Sequence, residues 1–253
     1  MATDFRLQVF RAPHLLSLPL DCYLSNGKGD DLSLLRSTLP KEWSVYIMGG
    51  ILRNLLLEEL RDLHVSNRDI DLVVNGAQSS GELRAKLRDF CVRQNEFGGA
   101  KCKVSPTGIV FDVWRMEDHV GMSSATKPHT VEQLLRHNLL DVDAILLDLQ
   151  TGWLYDYGCL AAINEGQIRL LGNDGISKDF SAAQAAHIIL IAFKTGFELS
   201  RDALELVRKI WESSHARSDV IRIVSRKVPD ASAQIEKFLD GFLEEELWPT
   251  MTT

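Results

Sequence analysis

Asp69-Ile70-Asp71 is where residue type and spacing point most directly to chemistry. In an extended strand every second side chain lies on the same face, so these carboxylates share a small volume while Ile70 and Leu72 turn into a core. Like charges a few ångströms apart raise one another's pKa and resist joint ionisation. A hard divalent cation removes that cost, taking carboxylate oxygens and filling its other positions with water and phosphate. Asp112, between Phe111 and Val113 in an apolar run, has the character of a third metal ligand on a neighbouring strand. Gly49 and Gly50 come directly before a helical pattern, where helix-end amides favour an anion and absent side chains let phosphate approach the backbone. Arg53, one turn into that helix, adds a cation near the same phosphates.

The elements around these residues can be read from periodicity. Val45 to Met48 is a buried strand running into the glycines, and Ile51 to Leu63 is a helix with Leu52, Leu55, Leu56 and Leu60 on one side. Asp69 to Val74 is the next strand, which makes the outline strand, turn, helix, strand. Gly81 to Asn95 has the spacing of an amphipathic helix. Lys101 to Ser105 and Ile109 to Arg115 form a hairpin around Pro106-Thr107-Gly108, with Asp112 on its second strand. Thr130 and Gln133 signal a helix start, and Ala144 to Leu149 with Trp153 to Tyr157 read as another hairpin. After about residue 167 the patterns over 182–194, 200–211, 218–227 and 231–247 are all helical. The expectation is an α+β chain: an extension over 1–28, a mixed-sheet domain over 29–166 and a small all-helical domain over 167–253.

Bulk properties narrow the function. The chain has 253 residues, 45% hydrophobic and 25% charged, which is ordinary globular composition with enough length for one large or two small domains. Its net charge of −7 does not offer the positive field that dominates nonspecific binding to nucleic-acid backbones, although a local basic patch stays open. Cys22, Cys91, Cys102 and Cys159 are scattered without zinc-like spacing, which predicts reduced packing thiols in a cytoplasmic protein. No apolar run approaches the roughly 18 residues of a membrane span.

The run from Gly49-Gly50-Ile51-Leu52-Arg53-Asn54 through Asp69-Ile70-Asp71-Leu72-Val73 resembles the head domain of the CCA-adding enzymes and bacterial poly(A) polymerases, class II of the polymerase-β nucleotidyltransferase superfamily. Asp112-Val113-Trp114-Arg115-Met116 is similar to that family's third acidic strand, Ala144 to Asp156 to its closing hairpin, and Phe180 to Leu199 to its first neck helix, so the resemblance covers about residues 43–200. It implies a polymerase-β-like sheet followed by a neck-like helical domain. It further implies that Asp69, Asp71 and Asp112 are catalytic and bind two Mg²⁺ or Mn²⁺ ions, and that Gly49, Gly50, Arg53 and Asn54 bind the triphosphate. A nucleoside monophosphate would pass from an NTP to an acceptor hydroxyl of RNA, protein or a small molecule.

The departures are specific. Arg53-Asn54 stands where the family has Arg-Asp, Arg136-His137-Asn138 where it has Arg-Arg-Asp, and the base-reading Glu-Asp-x-x-Arg has no counterpart around 180–184. CCA-type base selection is therefore not expected, nor tRNA binding by this chain alone, since it ends at Thr253 without the body and tail that hold tRNA in the family. The alternative is a degenerate head domain serving as a nucleotide-binding or protein-interaction module. Trp114, Trp153, Tyr155, Tyr157 and Phe197 are candidate base-stacking residues, with Trp114 and Tyr155 foremost. His119, His129 and His137 are candidate bases or phosphate contacts, and Arg115 and Lys127 further phosphate contacts.

Overall fold

The computed structural model describes residues 5–11, 28–66, 69–95, 98–106, 108–119, 128–171 and 181–228. The helix expected over 231–247, together with Cys22, Lys127 and Phe180, lies outside them. The chain divides into two units, residues 1–165 with 171–176 and residues 166–170 with 177–253.

The first unit is built on strands β1 (Gln8–Arg11), β2 (Ser44–Met48), β3 (Asp69–Asn75), β4 (Cys91–Gln94), β5 (Ala100–Lys103), β6 (Val110–Arg115), β7 (Ile145–Asp148) and β8 (Trp153–Asp156). They form one sheet in the order β1-β8-β7-β2-β3-β6-β5-β4. Its β3 and β6 run parallel and every other neighbouring pair is antiparallel. Helices α1 (Lys28–Ser37), α2 (Gly50–Arg61), α3 (Ser80–Lys86), α4 (Val131–Arg136) and α5 (Cys159–Glu165) complete the unit.

Strand alternation gives the sheet two unlike faces. Ile47, Ile70, Leu72, Val74, Phe111 and Val113 are buried on one, which α2 covers at β2, β3 and β7 and α3 covers at β6. The leucines of α2 supply the matching stripe, and burying each such side chain contributes about 1.5–3 kcal/mol. On the other face Tyr46, Met48, Val73, Trp114 and Leu146 join Met116, Leu171 and the α4 residues Leu134 and Leu135 in an apolar cluster. The face that carries Asp71 is therefore packed at one end and polar at the other.

The second unit contains α6 (Ala182–Thr195), α7 (Arg201–Trp211) and α8 (Ser214–Lys227), with a short parallel pair of β9 (Gln167–Ile168) and β10 (Glu198–Leu199). A capping box between Ser181 and Gln184 starts α6, and Gly196 at φ 67° ends it. No described helix is long and apolar enough to cross a membrane.

The sequence reading differs from this fold in several places. The helix expected over 81–95 stops at Lys86, and Cys91–Gln94 instead pairs with β5 as an edge strand. Leu83 and Leu87 bury the apolar side of the short helix; beyond them the chain pairs with β5 along the sheet edge, with a register shift between Cys91 and Arg93. Residues 8–11, within the expected extension, form β1 by pairing with β8. The short α5 was not expected, and α8 begins at Ser214 rather than 218.

Candidate metal and nucleotide site

Parallel pairing of β3 with β6 sets Asp71 directly beside Asp112, across an inter-strand distance of about 4.8 Å. Asp69 lies two residues earlier on the same face. Asp69 is exposed, Asp71 half-buried and Asp112 buried. The row continues across the sheet: Met48 of β2 pairs with Asp71, and Lys101 of β5 pairs with Asp112.

Asp112 is heavily engaged. Lys101 Nζ makes an ion pair with its Oδ2, and Asn95 Nδ2 donates to its Oδ1 at 2.6 Å. Asn95 is fixed in turn, since the Gly99 amide donates to its Oδ1 at 2.7 Å and its Nδ2 also reaches the Val113 carbonyl at 3.2 Å. Only glycine fits at 99, because a Cβ there would lie 2.0 Å from the Val113 carbonyl oxygen. Both oxygens of the third carboxylate thus have partners within the protein.

Asp71 presents the opposite case. Its carboxyl is pushed up to about 7, first by burial and then by Asp69 and Asp112, with Asp143 adding to the rise and Lys101 opposing it. Part of its surface still reaches water, so the strain comes from crowding by protein and by like charge. The donor set of Asp69 and Asp71, oxygen-only and short of positive charge, fits a hard divalent cation that takes one or two carboxylates and completes its shell with water and phosphate. Among the described residues, no three His, Cys, Asp or Glu side chains are arranged as a ready ion cage. That agrees with Asp112 being held by Lys101 and Asn95.

β2 ends at Met48 beside Asp71, which brings the following glycines to the Asp69 end of β3. Gly49 adopts φ 66° and ψ −120°, a backbone geometry open to glycine and strained for other residues, and this sharp bend starts α2 at Gly50. The Gly49 amide donates to the Ile145 carbonyl at 3.0 Å, which ties the turn to β7. The first amides of α2 precede its internal hydrogen-bond ladder and give this end of the sheet a positive pole. Arg53 and Asn54 are buried behind the turn: Arg53 makes an ion pair with Asp143, and its Nε donates to Asn54 Oδ1 at 2.9 Å. The Arg53 guanidinium lies against Gly50, 3.6 Å from where a Cβ would stand.

The aromatic and histidine candidates divide by environment. Trp114 is buried and stacks on His119 with centroids 6.2 Å apart, so its ring belongs to the apolar cluster. Burial, reinforced by His137, pushes His119 down to about 4, which leaves it neutral at pH 7. Tyr155 is half-buried at the edge of that cluster, Tyr157 and Phe197 are buried, and Trp153 is exposed under Arg11. Arg115 pairs with Glu117 at 3.0 Å.

Lys101, Asn95 and Asp143 were not singled out from sequence. A signal for Lys101 was present: closing the expected hairpin about Pro106-Thr107 sets residue 101 opposite residue 112. Asn95 and Asp143 meet their partners through tertiary structure, and the sequence offered no comparable sign.

No family model matches the chain, and no curated protein matches it. Solved structures do. A CCA-adding enzyme in complex with CTP is 20% identical with a TM-score of 0.64, over 92% of this chain and 55% of that one. A tRNA nucleotidyltransferase complexed with a primer tRNA and an incoming ATP analog is 19% identical with a TM-score of 0.58, over 82% and 61%. The Thermotoga maritima CCA-adding enzyme complexed with tRNA is 20% identical with a TM-score of 0.56, over 96% and 58%. The chain has a class II nucleotidyltransferase-like α+β fold, and it spans little more than half the length of the CTP-bound enzyme.

Proposed function

We propose that this chain is a divalent-metal-dependent nucleotidyltransferase that moves a nucleoside monophosphate from an NTP to a hydroxyl acceptor and releases pyrophosphate. The observation that carries the reading is the uncompensated carboxylate Asp71, raised to about 7 by burial, Asp69 and Asp112 on one sheet face, beside the Gly49-Gly50 turn at the start of α2. Asp69 and Asp71 hold Mg²⁺ or Mn²⁺, which when bound draws charge from the triphosphate and favours ionisation of the attacking hydroxyl. The amides at the start of α2 receive the triphosphate, with Gly49 and Gly50 allowing close approach. Arg53 and Asn54 brace that turn from behind, and Arg53 lends positive charge that it shares with Asp143. Asp112, fixed by Asn95 and Lys101, orients the acidic row.

The structural neighbours bound to CTP, an ATP analog and tRNA support a nucleotide substrate and an RNA-processing role, with a cytoplasmic setting in keeping with the cysteine pattern. The acceptor is an RNA 3′-end, a protein hydroxyl or a small molecule; tRNA binding by this chain alone is not part of the proposal. A second reading, a nucleotide-binding module without turnover, draws on the Lys101 ammonium already seated on Asp112. The test is incubation of purified protein with each α-labelled NTP, Mg²⁺ or Mn²⁺ and total RNA or cell extract. Label transfer by wild type and not by Asp69→Ala supports the enzyme. Metal-dependent nucleotide binding without transfer supports the module.

A further inference from the structure

The acidic row carries a cation of its own. Lys101 is the cross-strand partner of Asp112, its ammonium is paired with Asp112 Oδ2, and the two side chains are only 22% and 11% exposed. Asn95 takes the other oxygen, and its position is fixed by Gly99 and the Val113 carbonyl. An ion shared between Asp71 and Asp112 would need the Asp112 oxygen that Lys101 holds. Withdrawing Lys101 would leave a largely buried ammonium without its partner, an expensive change in such surroundings.

We propose that Lys101 is a resident cation of this centre, standing where a second divalent ion would bridge Asp71 and Asp112, so that the nucleotide-loaded site takes one divalent ion per chain. This rests on the reading of Asp69 and Asp71 as metal ligands. Such a site holds its ion through Asp69, Asp71 and the triphosphate, and the ammonium supplies a fixed single charge beside it.

The experiment is a Mn²⁺ titration followed by electron paramagnetic resonance, with saturating α,β-methylene ATP or CTP, on wild type, Lys101→Met, Lys101→Arg and Asp71→Asn, each checked for folding by circular dichroism. Lys101→Gln replaces the Met variant if that one does not fold. Wild type and Lys101→Arg are expected to retain one tightly held Mn²⁺ per chain, and Lys101→Met two, with the altered hyperfine pattern of a coupled pair. Two ions in wild type, or one in a folded Lys101→Met, would overturn the proposal. An equal count in wild type and Asp71→Asn, whether none or that of the nucleotide alone, would overturn instead the metal-site reading beneath it.

Discussion

Two crowded carboxylate regions lie at the same end of the sheet, and the protein treats them differently. Behind the Gly49-Gly50 turn, Asp143 is buried and answered by Arg53, which Asn54 also holds. On the open face, Asp112 is answered by Lys101 and Asn95, but Asp71 meets more negative than positive charge and its carboxyl rises to about 7. Where a carboxylate serves the fold, the chain supplies the counter-charge; on the proposed function, the counter-charge for Asp71 comes from a bound cation. That contrast predicts that changes in one region act on function and changes in the other on stability.

The largest effect is expected at Asp71. Asp71→Ala should lower turnover by about 10³-fold, which corresponds to ~4 kcal/mol of lost transition-state stabilisation. Single-turnover label transfer checks it, with the circular dichroism spectrum unchanged. Arg53→Met should destabilise by about 3–5 kcal/mol, because it removes the ion-pair partner of the buried Asp143. The midpoint of urea unfolding reads this out, and a wild-type midpoint would remove the structural half of the comparison.

Smaller effects sharpen it. Gly99→Ala should cost about 1–3 kcal/mol, since the added carbon meets the Val113 carbonyl and displaces the Asn95 clamp on Asp112. The smallest effect has the opposite sign. The folded-state pKa of Asp71, about 7, lies above the ordinary value near 3.9 of an unfolded chain. The folded state therefore binds that proton more tightly, and the contribution to stability is fully present below pH ~4 and lost as pH rises through ~7. Asp71→Asn should raise the Tm of metal-free protein at pH 8 and leave it nearly unchanged at pH 4. Differential scanning fluorimetry across that range measures both.

Local pattern made much of the fold legible. Alternation over 69–74 located β3, the leucine stripe after Gly50 located α2, and the hairpin patterns around Pro106 and over 144–157 located the β5/β6 and β7/β8 pairs. Edge elements were not legible, because β1 and β4 exist through partners distant in sequence or through a competition between helix and edge pairing that periodicity does not decide. The same division holds at the site. The placement of Asp69 and Asp71 on one strand and of Asp112 on another follows from local pattern, whereas Asp143 comes from a turn 90 residues beyond Arg53, and nothing in the intervening sequence announces their meeting.

The most direct measurement is the melting temperature of wild type and Asp71→Asn at pH 8, metal-free and again with Mn²⁺ and α,β-methylene ATP or CTP. The account predicts a crossing: the variant melts higher without ligand, and wild type melts higher with metal and nucleotide because only it gains from them. Equal gains in both proteins, or no gain in either, would contradict the assignment of Asp71 to a metal-dependent nucleotide site.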